Sequence, residues 1–263
     1  TLGFKWMTLA HYDPHYMMSV FQKMDRQRWF DATDKIPVYL KTHPELGTRI
    51  INLAHLVDSH NIPERVSTPP TPAFTFFKQR LDVLYGNPQR LKRELLIRLS
   101  QEPNNVPNRY ALALVYKRLG DRPKAIEAYQ QALALAPNND LIKRDLAIFN
   151  YESNKPQEAQ AQFQDLLRRH PRDEVSMYYL GLILQDRHQL DEALTLFERL
   201  NTLDPNFTQA YYNLGTLYGE KQRFGEAHYY LGRHSRMAKD WPTALFHFRK
   251  ALEIGRASCR ERV

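Results

Sequence analysis

The sequence predicts an all-α fold, a solenoid of stacked helical hairpins, and three observations between residues 106 and 207 carry that expectation. Pro137, Pro171 and Pro205 fall 34 residues apart, and Ala125, Ala159 and Ala193 keep the same step. The aromatics Tyr129, Phe163 and Phe197 each follow one of those alanines by four residues. Leu112, Leu146 and Leu180 share the period, and each precedes a small residue: Ala113, Ala147 or Gly181. Each unit is then two antiparallel helices, A and B. The small positions let the two backbones approach closely, and the aromatic, on the same helical face as its alanine, fills the gap toward the next unit. The proline has no N–H to continue the ladder, so it ends helix B or opens the next turn. No unit can bury its apolar face alone, and the stack itself makes the core.

A period of 34 with small, aromatic and proline positions in this order resembles the tetratricopeptide repeat (TPR). Three good repeats span residues 106–139, 140–173 and 174–207. A fourth begins with Tyr211, Leu214, Gly215 and Tyr218 and has Ala227 in register, but Leu231 stands at the aromatic position. A second match starts there half a period late, with Leu231-Gly232 followed by Ala244, Phe248 and Ala251. Three consecutive helices are expected over residues 208–252, the middle one serving both matches. Upstream, 74–85 and 89–99 form a helical hairpin broken at Gly86-Asn87-Pro88, a divergent capping repeat over 73–105. The resemblance implies a right-handed superhelix whose inner groove, lined by A helices, receives a polypeptide. Tyr110, Arg144, Tyr178 and Tyr212 take the fifth position of each repeat, and Leu114, Ile148, Leu182 and Thr216 come one turn later. The tyrosines offer both ring and hydroxyl to a bound chain. Packing against the adjacent helix explains them equally well. The lysine and asparagine clamp of chaperone-tail-binding TPRs is absent from these positions.

Residues 1–66 do not follow the period. Met17, Val20, Phe21 and Met24 have the spacing of an amphipathic helix, which Asp13-Pro14 starts. Residues 31–40 read as a loop. Pro44 opens a second helix with Ile50, Ile51, Leu53, Ala54 and Val57 on its buried side. Residues 67–72, Ser-Thr-Pro-Pro-Thr-Pro, are an extended linker and the expected domain boundary.

Composition narrows the function classes. Hydrophobic residues make up 43% and charged residues 25%, as in ordinary globular domains, and no apolar run approaches a membrane span. The formal charge is +8, but Lys92-Arg93, Lys143-Arg144 and Arg168-Arg169 are interleaved with acids. That pattern is a solvated face rather than a nucleic-acid stripe, so no nucleic-acid partner is expected. Attraction to the membrane periphery stays open. The segment 253–263, Glu-Ile-Gly-Arg-Ala-Ser-Cys-Arg-Glu-Arg-Val, resembles translated sequencing adapter and is taken as a non-native tail; it holds the only cysteine. Leu245, Phe248 and Leu252 on the last helix are expected to be uncovered, which predicts self-association.

No HExxH, GxSxG, phosphate loop or CxxC is present. His11 and His15 are four apart but have Asp13-Pro14 between them, which argues for a turn. By itself Thr42-His43-Pro44 is only a helix start. However, Leu9-Ala10-His11-Tyr12-Asp13-Pro14, then Phe21, then Tyr39-Leu40-Lys41-Thr42-His43-Pro44 and Arg49-Ile50 resemble the end of a peptidase domain. The family is that of the zinc metallopeptidases containing the CAAX prenyl endopeptidases and bacterial cell-envelope proteases with C-terminal TPRs, and the likeness covers roughly residues 1–57. It implies a parent zinc endopeptidase of the periplasm or cell envelope, acting in outer-membrane protein quality control on a polypeptide substrate or an assembly complex. Its zinc ligands and HExxH glutamate lie upstream of Thr1, so no cofactor and no catalysis are expected of this chain alone. His43 and Arg49 would face the zinc cleft as auxiliary catalytic residues. The alternative is a non-enzymatic TPR scaffold.

Overall fold

The computed structural model describes residues 2–9, 12–28, 46–60 and 71–260, and among these every regular element is an α-helix, fourteen in all. The chain separates into two compact units, Thr1–Pro70 and Thr71–Val263.

The first unit contains α1 (Leu2–Leu9), α2 (His15–Arg28) and α3 (Leu46–Ser59). Helix α1 was not anticipated from the sequence; its Phe4 joins Leu53 and Val57 in a small core, against which Met17, Met18, Phe21 and Leu56 pack. Asp13 starts α2 as expected, its carboxylate accepting the backbone N–H of His15 at 2.9 Å. Ile51, expected on the buried side of α3, is 70% exposed. It lies about 200° around the helix from Leu53, so both cannot face one core. The expected loop over 31–40, the start of the second helix at Pro44 and His43 itself lie outside the described residues.

The second unit runs through α4 (Pro72–Tyr85), α5 (Pro88–Gln101), α6 (Val106–Arg118), α7 (Arg122–Leu135), α8 (Asp140–Glu152), α9 (Pro156–Arg169), α10 (Glu174–Asp186), α11 (Leu190–Leu203), α12 (Thr208–Glu220), α13 (Phe224–Met237) and α14 (Trp241–Arg260). Thr71, Asn87, Asn105, Asp121, Asn139 and Asp173 cap six of these, each side chain accepting the N–H three residues on. Such a cap contributes about 1 kcal/mol. Helices α4 and α5 flank Gly86-Asn87 as expected, but both pack mainly on α6 rather than on each other.

The seat of each aromatic is its own hairpin. A Cβ added at Gly181 would lie 2.7 Å from the Phe197 ring, one at Gly215 2.7 Å from Leu231, and one at Gly232 2.7 Å from Phe248. All three pairs are 16 residues apart. The B-helix side chain thus occupies the volume that a larger A-helix residue would need. It also reaches the next unit, where Phe163 stacks on Tyr179 with centroids 5.6 Å apart.

A left-handed residue closes each A-to-B turn: Gly120, Asn154, His188 and Gln222, spaced by 34. The next, Lys239, comes only 17 residues later. The turn between α13 and α14 is therefore of the A-to-B kind. Helix α13 is the B partner of α12 and the A partner of α14, which is the physical meaning of the half-period match. The buried core runs through Tyr129, Phe163, Phe197, Leu214 and Leu217. On α14, Leu245 and Leu252 are exposed, with Trp241 and Phe246, but Phe248 is half-buried on Gly232 rather than uncovered. Helix α14 continues to Arg260, into the segment read as a non-native tail. No helix among the described residues is long and apolar enough to cross a membrane.

Candidate peptide-binding face

The A helices α6, α8, α10 and α12 carry the residues expected to contact a bound chain. Their 34-residue register places equivalent positions on adjacent helices, so one side chain per repeat builds a row along the face. Leu114, Ile148 and Leu182 form such a row and are each half-buried, with apolar surface left accessible. Thr216 ends the row, accepting a hydrogen bond from Gln185 Nε2 at 3.3 Å and donating to the Asn213 carbonyl at 2.9 Å.

The fifth positions diverge. Tyr110 is 0% exposed, so it is core and not groove. Its hydroxyl donates to Asp145 and accepts from Arg80 Nη1 at 3.2 Å, and its ring packs edge-on to Phe76 at 5.4 Å. Because α4 folds over α6, this repeat has its fifth position covered. Burial, and then the charge of Asp145, hold the Tyr110 hydroxyl well above the usual phenol range. Arg144 reaches Asp173 Oδ2 at 2.8 Å, and Asp173 is also the N-cap of α10. Tyr178 is half-buried between Phe207, at 5.2 Å, and Phe197, at 6.0 Å. Tyr212 is the open one, 52% exposed with its ring 5.6 Å from that of His234.

Sequence reasoning missed a third row. Lys117, Tyr151 and Gln185 follow Leu114, Ile148 and Leu182 by three residues, and the same 34-residue step could have found them. Lys117 pairs with Glu152 at 2.6 Å, and Tyr151 donates to Asp186 at 3.0 Å. Arg80 pairs with Asp145 at 2.9 Å. Three cations of this region, Arg80, Lys117 and Arg144, therefore each hold a carboxylate that lies on, or caps, another helix. In a cleft of about 730 Å³ at the ends of α8 and α10, Asp140 is likewise taken by Arg169 and by His170 at 2.6 Å.

In the first unit the Arg49 guanidinium lies 5.9 Å from the centroid of the Phe21 ring. Among the described residues no three His, Cys, Asp or Glu side chains converge as a metal site.

The hairpins formed by α6 to α11 have the make-up of tetratricopeptide repeats. Residues 108–139 and 145–206 match family models described as tetratricopeptide repeat. Among solved structures, the fold is similar to that of PilW, described as a widely conserved type IV pilus biogenesis factor, with a TM-score of 0.57 and 19% identity over 71% of this chain and 91% of that one. PilF of Pseudomonas aeruginosa is similar at a TM-score of 0.54 and 18% identity, over 66% of this chain and 87% of its own. A MamA fragment from Desulfovibrio magneticus RS-1 is similar at 0.51 and 19% identity, over 73% and 98%. No curated protein sequence matches the chain.

Proposed function

We propose that the chain is a non-enzymatic TPR scaffold that holds an extended stretch of another polypeptide, recognised by apolar and hydroxyl contacts rather than by charge. The observation that carries this reading is the internal pairing of Arg80, Lys117 and Arg144 with Asp145, Glu152 and Asp173. These cations are already compensated, so a carboxylate of a ligand gains little from them. Beside these paired cations the face presents apolar and amphipathic surface: Leu114, Ile148, Leu182 and the Tyr212 ring. The test is fluorescence anisotropy with labelled extended peptides, one apolar set and one acidic set. Leu182→Ala and Tyr212→Ala should each weaken apolar peptides roughly ten-fold, about 1.4 kcal/mol. Affinity should change little between low and high salt, as screening acts on exposed charges. A preference for acidic peptides, or variants that bind as well as the parent, sinks the proposal.

A second reading rests on the run from Leu9 to Ile50 and its resemblance to a peptidase domain. In it the same face presents substrates or an assembly complex to a zinc endopeptidase of the bacterial envelope, with His43 and Arg49 as auxiliary residues. It requires an in-frame HExxH in the gene upstream of Thr1, and reading that stretch decides between the two.

A further inference from the structure

His228 on α13 and His247 on α14 meet head to head. Their Nδ1 atoms are 2.8 Å apart and their ring centroids 5.1 Å apart, with both side chains half-buried. The backbone fixes this approach, because Gly232, one turn beyond His228, seats Phe248, the neighbour of His247. The geometry points to a two-imidazole site for a divalent transition metal of the nickel, copper and zinc class, bridging the last two helices.

Imidazole nitrogen is a favoured donor for these ions. With metal–nitrogen bonds of about 2.0–2.1 Å, two imidazoles at a tetrahedral angle on one ion have centroids about 5 Å apart and nitrogens about 3.3 Å apart. The rings of His228 and His247 already stand at that centroid separation. Each need only pivot in place so that the two lone pairs converge on a common point. One ring now donates its Nδ1 proton to the other. On metal binding that proton moves to the Nε2 of the same ring, and none is lost overall.

The nearby charges are engaged elsewhere: Glu226 on α13 with Arg223 at 2.5 Å, and Lys250 on α14 with Glu253 at 2.8 Å. Among the described residues no third His, Cys, Asp or Glu joins the pair, so water completes the coordination and the ion exchanges. This is a brace for the terminal hairpin, far in chemistry from a catalytic zinc held by three protein ligands.

The test is a zinc titration of the full chain carrying ring-labelled histidine, followed by proton–carbon correlation spectra. His228→Gln and His247→Gln assign the two signals. Both should move together at one zinc concentration at pH 7.5, return on adding EDTA, and stay unmoved at pH 5, where protons compete. In either variant the surviving ring should no longer respond at that concentration. The melting midpoint of the parent should rise by about 5 °C at hundred-fold excess over the dissociation constant, and His170→Gln should leave that rise intact. Signals that do not move, that move at separate concentrations, or a surviving ring that still responds in a variant each overturn the site.

Discussion

The Tyr151 hydroxyl donates to Asp186 Oδ2 at 3.0 Å, a residue 35 positions further along the chain. Tyr110 and Asp145, and Lys117 and Glu152, are joined at the same separation. A step of 34 reaches the equivalent position in the next repeat, and one residue more rotates the acceptor back toward the donor. These polar links therefore tie consecutive A helices in register.

Burial, and then the Asp186 hydrogen bond, push the Tyr151 phenol up to about 12. Asp186→Asn removes the charge but not the burial, so Tyr151 should ionise nearer the ordinary phenol value of about 10 without reaching it. Ultraviolet difference titration against Tyr151→Phe isolates this group. Because the folded value lies above the unfolded one, its contribution to stability is complete below about pH 10 and is lost as pH rises through 12. An unchanged titration in Asp186→Asn would remove Asp186 from the account.

Tyr129→Phe should stabilise the chain. The Tyr129 ring is fully buried, and among the described residues its hydroxyl has no hydrogen-bond partner. The next two repeats place Phe163 and Phe197 at this position. Removing an unsatisfied buried hydroxyl should gain about 1–2 kcal/mol, read as a higher urea midpoint. A lower midpoint would mean that the hydroxyl is satisfied after all.

The hairpins were legible because each depends on residue types at fixed spacing. The pairs Gly181–Phe197, Gly215–Leu231 and Gly232–Phe248 are a spacing rule that needs only local chain geometry. The fate of Tyr110 was not legible. It shares its repeat position with the exposed Tyr212, and only the packing of α4 over α6, together with Asp145 from α8, decides that it is buried. Ile51 shows the same limit on a short helix, where a dense apolar run does not say which side faces in. Phe248 is covered although the last helix has no further repeat beyond it, because the half-period match already pairs it with Gly232 of α13, where its ring is seated.

That turn makes a further stability prediction. Gln222 and Lys239 have φ of 58° and 61°, where a side chain is strained, while the first repeat has Gly120 at this place. Left-handed backbone costs a non-glycine residue about 1–2 kcal/mol, and glycine's greater freedom when unfolded takes back about 0.5–1 kcal/mol. Gln222→Gly and Lys239→Gly should therefore each raise stability by about 0.5–1 kcal/mol. Thermal melts suffice, and a destabilised Lys239→Gly would show that the lysine side chain contributes more than its backbone costs.

Acid should loosen the terminal hairpin before the rest. His247 titrates below its ordinary value because burial and His228 both disfavour its charged form. The unfolded chain, with a histidine near pH 6.5, then binds the proton more readily than the folded one. Stability from this group is whole above about pH 6.5 and declines as pH falls toward the depressed folded value. A second charge on His228, whose Nδ1 lies 2.8 Å away, would leave two N–H groups opposed with no acceptor between them. Hydrogen exchange on α14 should accelerate between pH 7 and pH 5, after correction for intrinsic rates, ahead of exchange on α8 and α10. His247→Gln keeps a polar side chain there without a titrating nitrogen, and should flatten that dependence. If the variant and the parent lose protection in parallel across this range, acid acts elsewhere and the histidine pair is not the sensitive joint.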